Sequence, residues 1–253
     1  MTFCLGVTVK EGLLGIADTR ITSGSEMITA RKVSTYRIPT GEFFLMTSGL
    51  RSLRDKSLTY FEDQLDAHDP GAYIKLHKIV NAFAAKIRQV SIEDKLALDT
   101  SGLDFNIHAL IGGRLKDDAG HQLYLIYPEG NWVQVPPGTP YHIIGERGYG
   151  KPVLDRALKY EDSLRFALKV GCLAFDATRI SASDVDFPID VVLYLNESHE
   201  LVEHRYEQAD LQEISTWWQE RLRQSVYELP SEWIDNVASK LQKIKGKGHF
   251  RRE

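Results

Sequence analysis

Thr2-Phe3-Cys4-Leu5-Gly6-Val7-Thr8-Val9-Lys10-Glu11-Gly12-Leu13-Leu14-Gly15-Ile16-Ala17-Asp18 sets two apolar, β-rich runs on either side of a polar turn, and so reads as a β-hairpin that begins at residue 2. With Lys10-Glu11-Gly12 as the turn, residue i opposes residue 22 minus i, which sets Cys4 against Asp18 and Thr2 against Arg20. A second hairpin follows. Arg31 to Ile38 runs into Pro39-Thr40-Gly41 and Glu42 to Ser48 returns; a Thr40-Gly41 turn pairs i with 81 minus i and sets Lys32 against Gly49.

From Leu50 the period lengthens. Leu53, Leu58, Phe61 and Leu65 predict one helix, and Leu76, Val80, Phe83, Ile87 and Val90 a second. Strand character resumes at Phe105 to Ile111, Gln122 to Tyr127, Trp132 to Val135 and Tyr141 to Ile144. Pro152 suits the first turn of a helix, and Leu164, Ala167, Leu168, Cys172 and Leu173 mark another. Ile189 to Leu195 and Glu200 to Tyr206 close a strand pair before helices over Ala209 to Tyr227 and Ser231 to Ile244. Strands and helices segregated in blocks predict an α+β fold of stacked antiparallel sheets with helices outside.

The 253 residues, 43% apolar and 26% charged, supply a substantial core and exclude disordered, collagen-like and coiled-coil classes. Thirty-one Lys and Arg against 35 Asp and Glu give a net charge of −4, so no nucleic-acid partner is expected. No apolar run approaches the ~18 residues of a membrane span. Met1 to Val7 lacks the basic and apolar parts of an export signal, and Cys4 and Cys172 are too few for a disulfide framework; a cytoplasmic location is expected.

If the two hairpins lie side by side, Thr2, Asp18, Lys32 and Gly49 converge on one spot. Initiator Met is readily removed before Thr, which leaves a hydroxyl and a free amine on one residue. That amine, with an unperturbed pKa of about 7.7–8.0, serves as the hydroxyl's general base. The Lys32 charge eases deprotonation, and Asp18 orients Lys32. The Gly49 N–H meets the developing oxyanion, a contact typically worth about 10²–10³ in rate.

These residues resemble proteasome β-type subunits. Asp18-Thr19-Arg20-Ile21-Thr22 is similar to their Asp-x-Arg-x-Thr signature, Arg31-Lys32-Val33 to their lysine strand, and Met46-Thr47-Ser48-Gly49-Leu50 to the glycine before their first helix. Gly145-Glu146-Arg147-Gly148-Tyr149-Gly150-Lys151-Pro152-Val153-Leu154-Asp155, Asp176-Ala177-Thr178 and Phe187-Pro188-Ile189-Asp190 resemble the bacterial ancestral β-subunit branch, Anbu. The resemblance implies a four-layer αββα sandwich of the N-terminal nucleophile hydrolase type, a threonine-protease site, and assembly into rings or shallow helical rings. It also marks departures. Glu146 stands where the family carries Ser, and Ser181 and Asp184 stand where it carries Asp and Ser near the nucleophile, so that Asp184 or Asp176 is the candidate replacement carboxylate.

His199-Glu200-Leu201-Val202-Glu203-His204 separates its histidines by five in strand-like sequence and is not a helical HExxH site; no metal and no cofactor are expected. The glycines between Gly145 and Gly150 match no phosphate-binding spacing. Trp217, Trp218 and Trp233 suit either core anchoring or subunit contact, and the basic tail from Lys240 a solvated end. The expected organisation is an αββα domain over residues 1–207 and a helical extension over 208–253. The expected function is a threonine-type peptidase in a homo-oligomer, with Thr2, Asp18, Lys32, Gly49, Ser181 and Asp184 at the site and a peptide or protein as substrate. The alternatives are a small-molecule amide hydrolase or acyl transferase using the same nucleophile, and an assembly scaffold of weak catalytic power.

Overall fold

Phe3–Val9 (β1) and Gly12–Asp18 (β2) are buried at every residue, which requires cover on both faces of the hairpin they form. The computed structural model, which describes residues 2–23, 26–67 and 70–245, shows how that cover is built. After β2 come β3 (Arg20–Ser23), β4 (Glu26–Thr29), β5 (Val33–Ile38), β6 (Gly41–Gly49), α1 (Arg51–Ala67), α2 (Leu76–Thr100), β7 (Ile107–Leu115), β8 (Gln122–Ile126), β9 (Trp132–Gln134) and β10 (Tyr141–Gly145). Then follow α3 (Lys151–Ala157), α4 (Leu164–Ser181), β11 (Ile189–Leu195), β12 (Leu201–Tyr206), α5 (Gln208–Tyr227) and α6 (Glu232–Lys245).

Two five-stranded antiparallel sheets, ordered β10-β1-β2-β11-β12 and β5-β6-β7-β8-β9, face one another. One core lies between the first sheet and α3 and α4, a second between the other sheet and α1 and α2, and a third between the sheets. The fold is therefore an α+β sandwich of four layers, αββα, in agreement with the block order of the sequence. Strand parity sorts β1 between two cores. Leu5 and Val7 lie under the helices, whereas Cys4 joins Phe44 and Met46 between the sheets.

Both hairpin registers differ from expectation. Partners in β1 and β2 sum to 21, not 22: Cys4 faces Ala17, and the turn is Lys10-Glu11 with Gly12 already paired to Val9. This shift puts Leu14 and Ile16 on the helix-covered face with Leu5 and Val7, and turns Gly15 toward Met46 and Phe44, which fill the space its missing side chain leaves. In β5 and β6 partners sum to 79, not 81, because Pro39-Thr40 makes the turn and Gly41 pairs with Ile38. Lys32 accordingly lies level with Thr47, whose N–H donates to the Lys32 carbonyl at 3.2 Å, and Gly49 opposes Ile107 of β7. The hairpins also do not lie side by side in one sheet; they face each other across the sandwich. The β3-β4 ribbon, not anticipated from sequence, carries the chain from one sheet to the other.

Phe44 is wholly buried between the sheets. The Phe44→Ala variant is expected to lose about 3–5 kcal/mol, read as a lower denaturant midpoint with an unchanged slope.

The chain divides after Leu211 into two compact units. The second contains most of α5 and all of α6, where Trp217 is 52% and Trp233 62% exposed, so neither is an anchor of a core within this chain. Of the basic tail, residues 246–253 lie outside the described residues. Among the described residues, no helix is long and apolar enough to cross a membrane.

Candidate active site

The buried end of β2 organises the site. Extending the β1-β2 register sets Asp18 level with Phe3, and the carboxylate completes the ladder that the backbone leaves open: Oδ1 accepts the Phe3 N–H at 2.8 Å. The β3-β4 ribbon returns the chain so that Lys32 meets this same carboxylate, its Nζ donating to Asp18 Oδ1 at 2.7 Å and to the Arg20 carbonyl at 2.6 Å. Asp18 has no exposed surface and Lys32 only 5%. Burial raises the Asp18 carboxyl above its ordinary value, against the pull of the Lys32 ammonium and the Phe3 N–H. Asp18 thus ties a cation to the amide immediately after Thr2.

Thr2, Lys32 and Gly49 line one cavity of about 740 Å³, with Asp18 behind Lys32. Thr2 is held by the neighbouring strand, its carbonyl accepting the Glu146 N–H at 2.7 Å. Gly145, at φ 88°, passes so close that a Cβ there would sit 2.0 Å from the Thr2 carbonyl oxygen. Gly49, at φ 126°, enters from the other sheet, and a Cβ on it would meet the Asn106 carbonyl oxygen at 2.0 Å. The Gly49→Ala variant must move backbone beside the cavity and is expected to lose about 2 kcal/mol or more in thermal or chemical denaturation.

Ser181 and Asp184 are not among the residues lining this cavity. Ser181 is the exposed last residue of α4. Asp176, the other candidate carboxylate, pairs with Arg179 at 2.8 Å. From the segment after α4, Asp186 holds Arg20 at 3.1 Å, and the Arg20 carbonyl in turn holds Lys32. Thr19 is fastened to the same segment, its N–H and hydroxyl both donating to the Pro188 carbonyl, at 3.0 and 2.7 Å. The sequence reading missed Asp186 because three aspartates within seven positions, Asp184, Asp186 and Asp190, give no spacing that selects one. It also missed Arg51 and Arg54, which line the cavity from the first turn of α1. Their signal was their place just beyond the site glycine, three residues apart on a helix.

Cys4 lies behind the site with its thiol 3.7 Å from the Thr47 carbonyl. Burial pushes this thiol far up, and that of Cys172 up to about 12, so both stay protonated and unreactive.

The proteasome subunit model matches residues 2–185, well over half of the chain and all four residues of the Thr2, Asp18, Lys32 and Gly49 constellation. The chain belongs to the proteasome subunit family. Among solved structures of that family it is similar to Anbu of Hyphomicrobium sp. strain MC1, in a Gly-1 mutant form, at 26% identity and a TM-score of 0.83 over 91% of this chain and 98% of that one. Anbu, the ancestral β-subunit, of Yersinia bercovieri is similar at 26% identity and a TM-score of 0.82, over 90% and 98%. The helical assembly of the Anbu complex from Pseudomonas aeruginosa gives 26% identity and a TM-score of 0.83, over 90% and 97%. No curated protein matches. This family member is therefore a proteasome-type homologue of Anbu, with the fold of the N-terminal nucleophile hydrolases.

Proposed function

We propose that the chain is a threonine-type peptidase: an amide-bond hydrolase acting through Thr2, made N-terminal by removal of Met1, inside a cytoplasmic homo-oligomer. The observation that carries this reading is the buried Asp18–Lys32 pair at 2.7 Å, whose cation lines the same cavity as Thr2 and Gly49. The Thr2 hydroxyl oxygen attacks the scissile carbonyl carbon while its proton passes to the Thr2 amine. Lys32 favours the incipient alkoxide, and the Gly49 N–H meets the oxyanion. Collapse breaks the C–N bond as the amine's proton goes to the leaving nitrogen, leaving an ester on Thr2. Water, deprotonated by the same amine, then attacks the ester, releases the acid and restores the hydroxyl.

The similarity to a helical Anbu assembly supports the oligomer. Confinement within it would restrict the site to unfolded or short chains. The second reading is the scaffold, motivated by Glu146 and Ser181 standing where the family carries other groups. Intact mass and N-terminal peptide mapping, with and without a β-lactone or epoxyketone probe, separate the two. The peptidase predicts a chain starting at Thr2 and a probe adduct on that residue; a chain that never accepts the probe is the scaffold.

A further inference from the structure

We infer that the cavity beside Thr2 selects amide substrates whose acyl residue carries a side-chain carboxylate, glutamyl or aspartyl, bound by Arg51 and Arg54; this rests on the role of Thr2 proposed above. Three cations line the cavity, Lys32, Arg51 and Arg54, against one carboxylate, the exposed Asp104 on the loop before β7. Lys32 is matched by Asp18. Arg51 and Arg54 share a single carboxylate: Asp55 accepts Arg54 Nε and Nη2 on one oxygen, at 2.9 and 2.7 Å, and Arg51 Nε on the other, at 3.2 Å. Two guanidiniums on one carboxylate leave a positive charge over.

The Arg54 side chain is only 13% exposed and is held besides by the Arg31 carbonyl, so it is fixed in place. Arg51 donates only its Nε–H to the described residues, which leaves both Nη groups for a ligand. They sit at the start of a 17-residue helix whose first turn holds no acidic residue, where the unpaired N–H groups also favour an anion. Thr47 lines the same cavity, and its buried hydroxyl has no hydrogen-bond partner among the described residues. Ile21 and Ile28 line it too and suit the methylenes of a glutamyl chain. A neutral side chain would leave the Nη groups unanswered, and a basic one would meet three cations.

The test uses full-length protein and peptide amides that differ only at the acyl residue: Glu, Gln, Leu or Arg. Expected is a kcat/KM for Glu roughly ten- to hundredfold above its isostere Gln, as for a hydrogen-bonded charge against a neutral group. That ratio should shrink in Arg51→Gln, be partly kept in Arg51→Lys, widen in Asp104→Asn and fall with added salt. Equal or lower turnover of Glu than of Gln, or a ratio untouched by Arg51→Gln, overturns the inference and leaves the nucleophile standing. If no peptide is turned over and no probe reaches Thr2, the peptidase reading fails. Calorimetric binding of the Glu and Gln peptides to the Thr2→Ala protein then decides the cavity's preference separately, and equal affinities overturn it.

Discussion

The Thr2→Ala variant is expected to fold and assemble as the parent does while losing turnover by about 10⁴-fold or more. Thr2 is held through its carbonyl, which accepts the Glu146 N–H, and alanine keeps that bond. Initiator Met is removed before alanine as before threonine, so the amine survives and only the hydroxyl is lost. Thr2→Ser retains hydroxyl and amine and keeps measurable activity. The check is mass spectrometry of the N-terminal peptide after an electrophilic probe: an adduct in the parent and in Thr2→Ser, none in Thr2→Ala. Undiminished turnover by Thr2→Ala would place the chemistry elsewhere.

Breaking the Asp18–Lys32 pair has the next largest expected effect. Lys32→Met strands a carboxylate with no exposed surface, and Asp18→Ala strands a nearly buried ammonium while also removing the acceptor of the Phe3 N–H; each is expected to lose about 3–5 kcal/mol of stability together with activity. The double variant Asp18→Asn/Lys32→Met buries no charge. It should recover much of the stability and none of the activity, and with Asp18→Asn as the matching single variant a double-mutant cycle separates the pair's structural part from its chemical one. The pH dependence has a definite sign. Burial raises the folded-state pKa of Asp18 above its ordinary 3.8, so between that value and the raised one the folded chain holds a proton that the unfolded chain has released. This carboxyl's contribution to stability therefore falls as pH rises through that window. Activity runs the opposite way, because only ionised Asp18 orients Lys32. Below the limb that protonation of the Thr2 amine imposes, kcat/KM should break a second time above the ordinary carboxylate range, and a second break at or below that range would contradict the assignment.

Much of the architecture is legible in local pattern. The unbroken apolar character of Phe3–Val9 and Gly12–Asp18 announces strands covered on both faces, and the three- and four-residue stripes of α1, α2 and α4 announce helices each burying one side. The β3-β4 ribbon escaped because Arg20–Ser23 and Glu26–Thr29 mix polar and apolar residues with no buried run behind them. The grouping of Thr2, Lys32 and Gly49 about one cavity, with Asp18 behind Lys32, was likewise legible, since a hydroxyl, a cation, its counter-ion and an unencumbered amide make chemical sense together. The hairpin pairing that the sequence predicts is not what brings them together. Both hairpin registers differ, by one and by two in the pairing sum, and Gly49 pairs with Ile107.

The sequence by itself determined most of the strands and helices, because side-chain periodicity and turn chemistry act over a few residues. Only the tertiary structure decided that Asp18 lies level with Phe3, that Arg51 and Arg54 wall the cavity, and that Asp186 secures Arg20 from 166 positions away. Register answers to the packing of one sheet against another and against its helices, and the fit that selects it is made by side chains far apart along the chain.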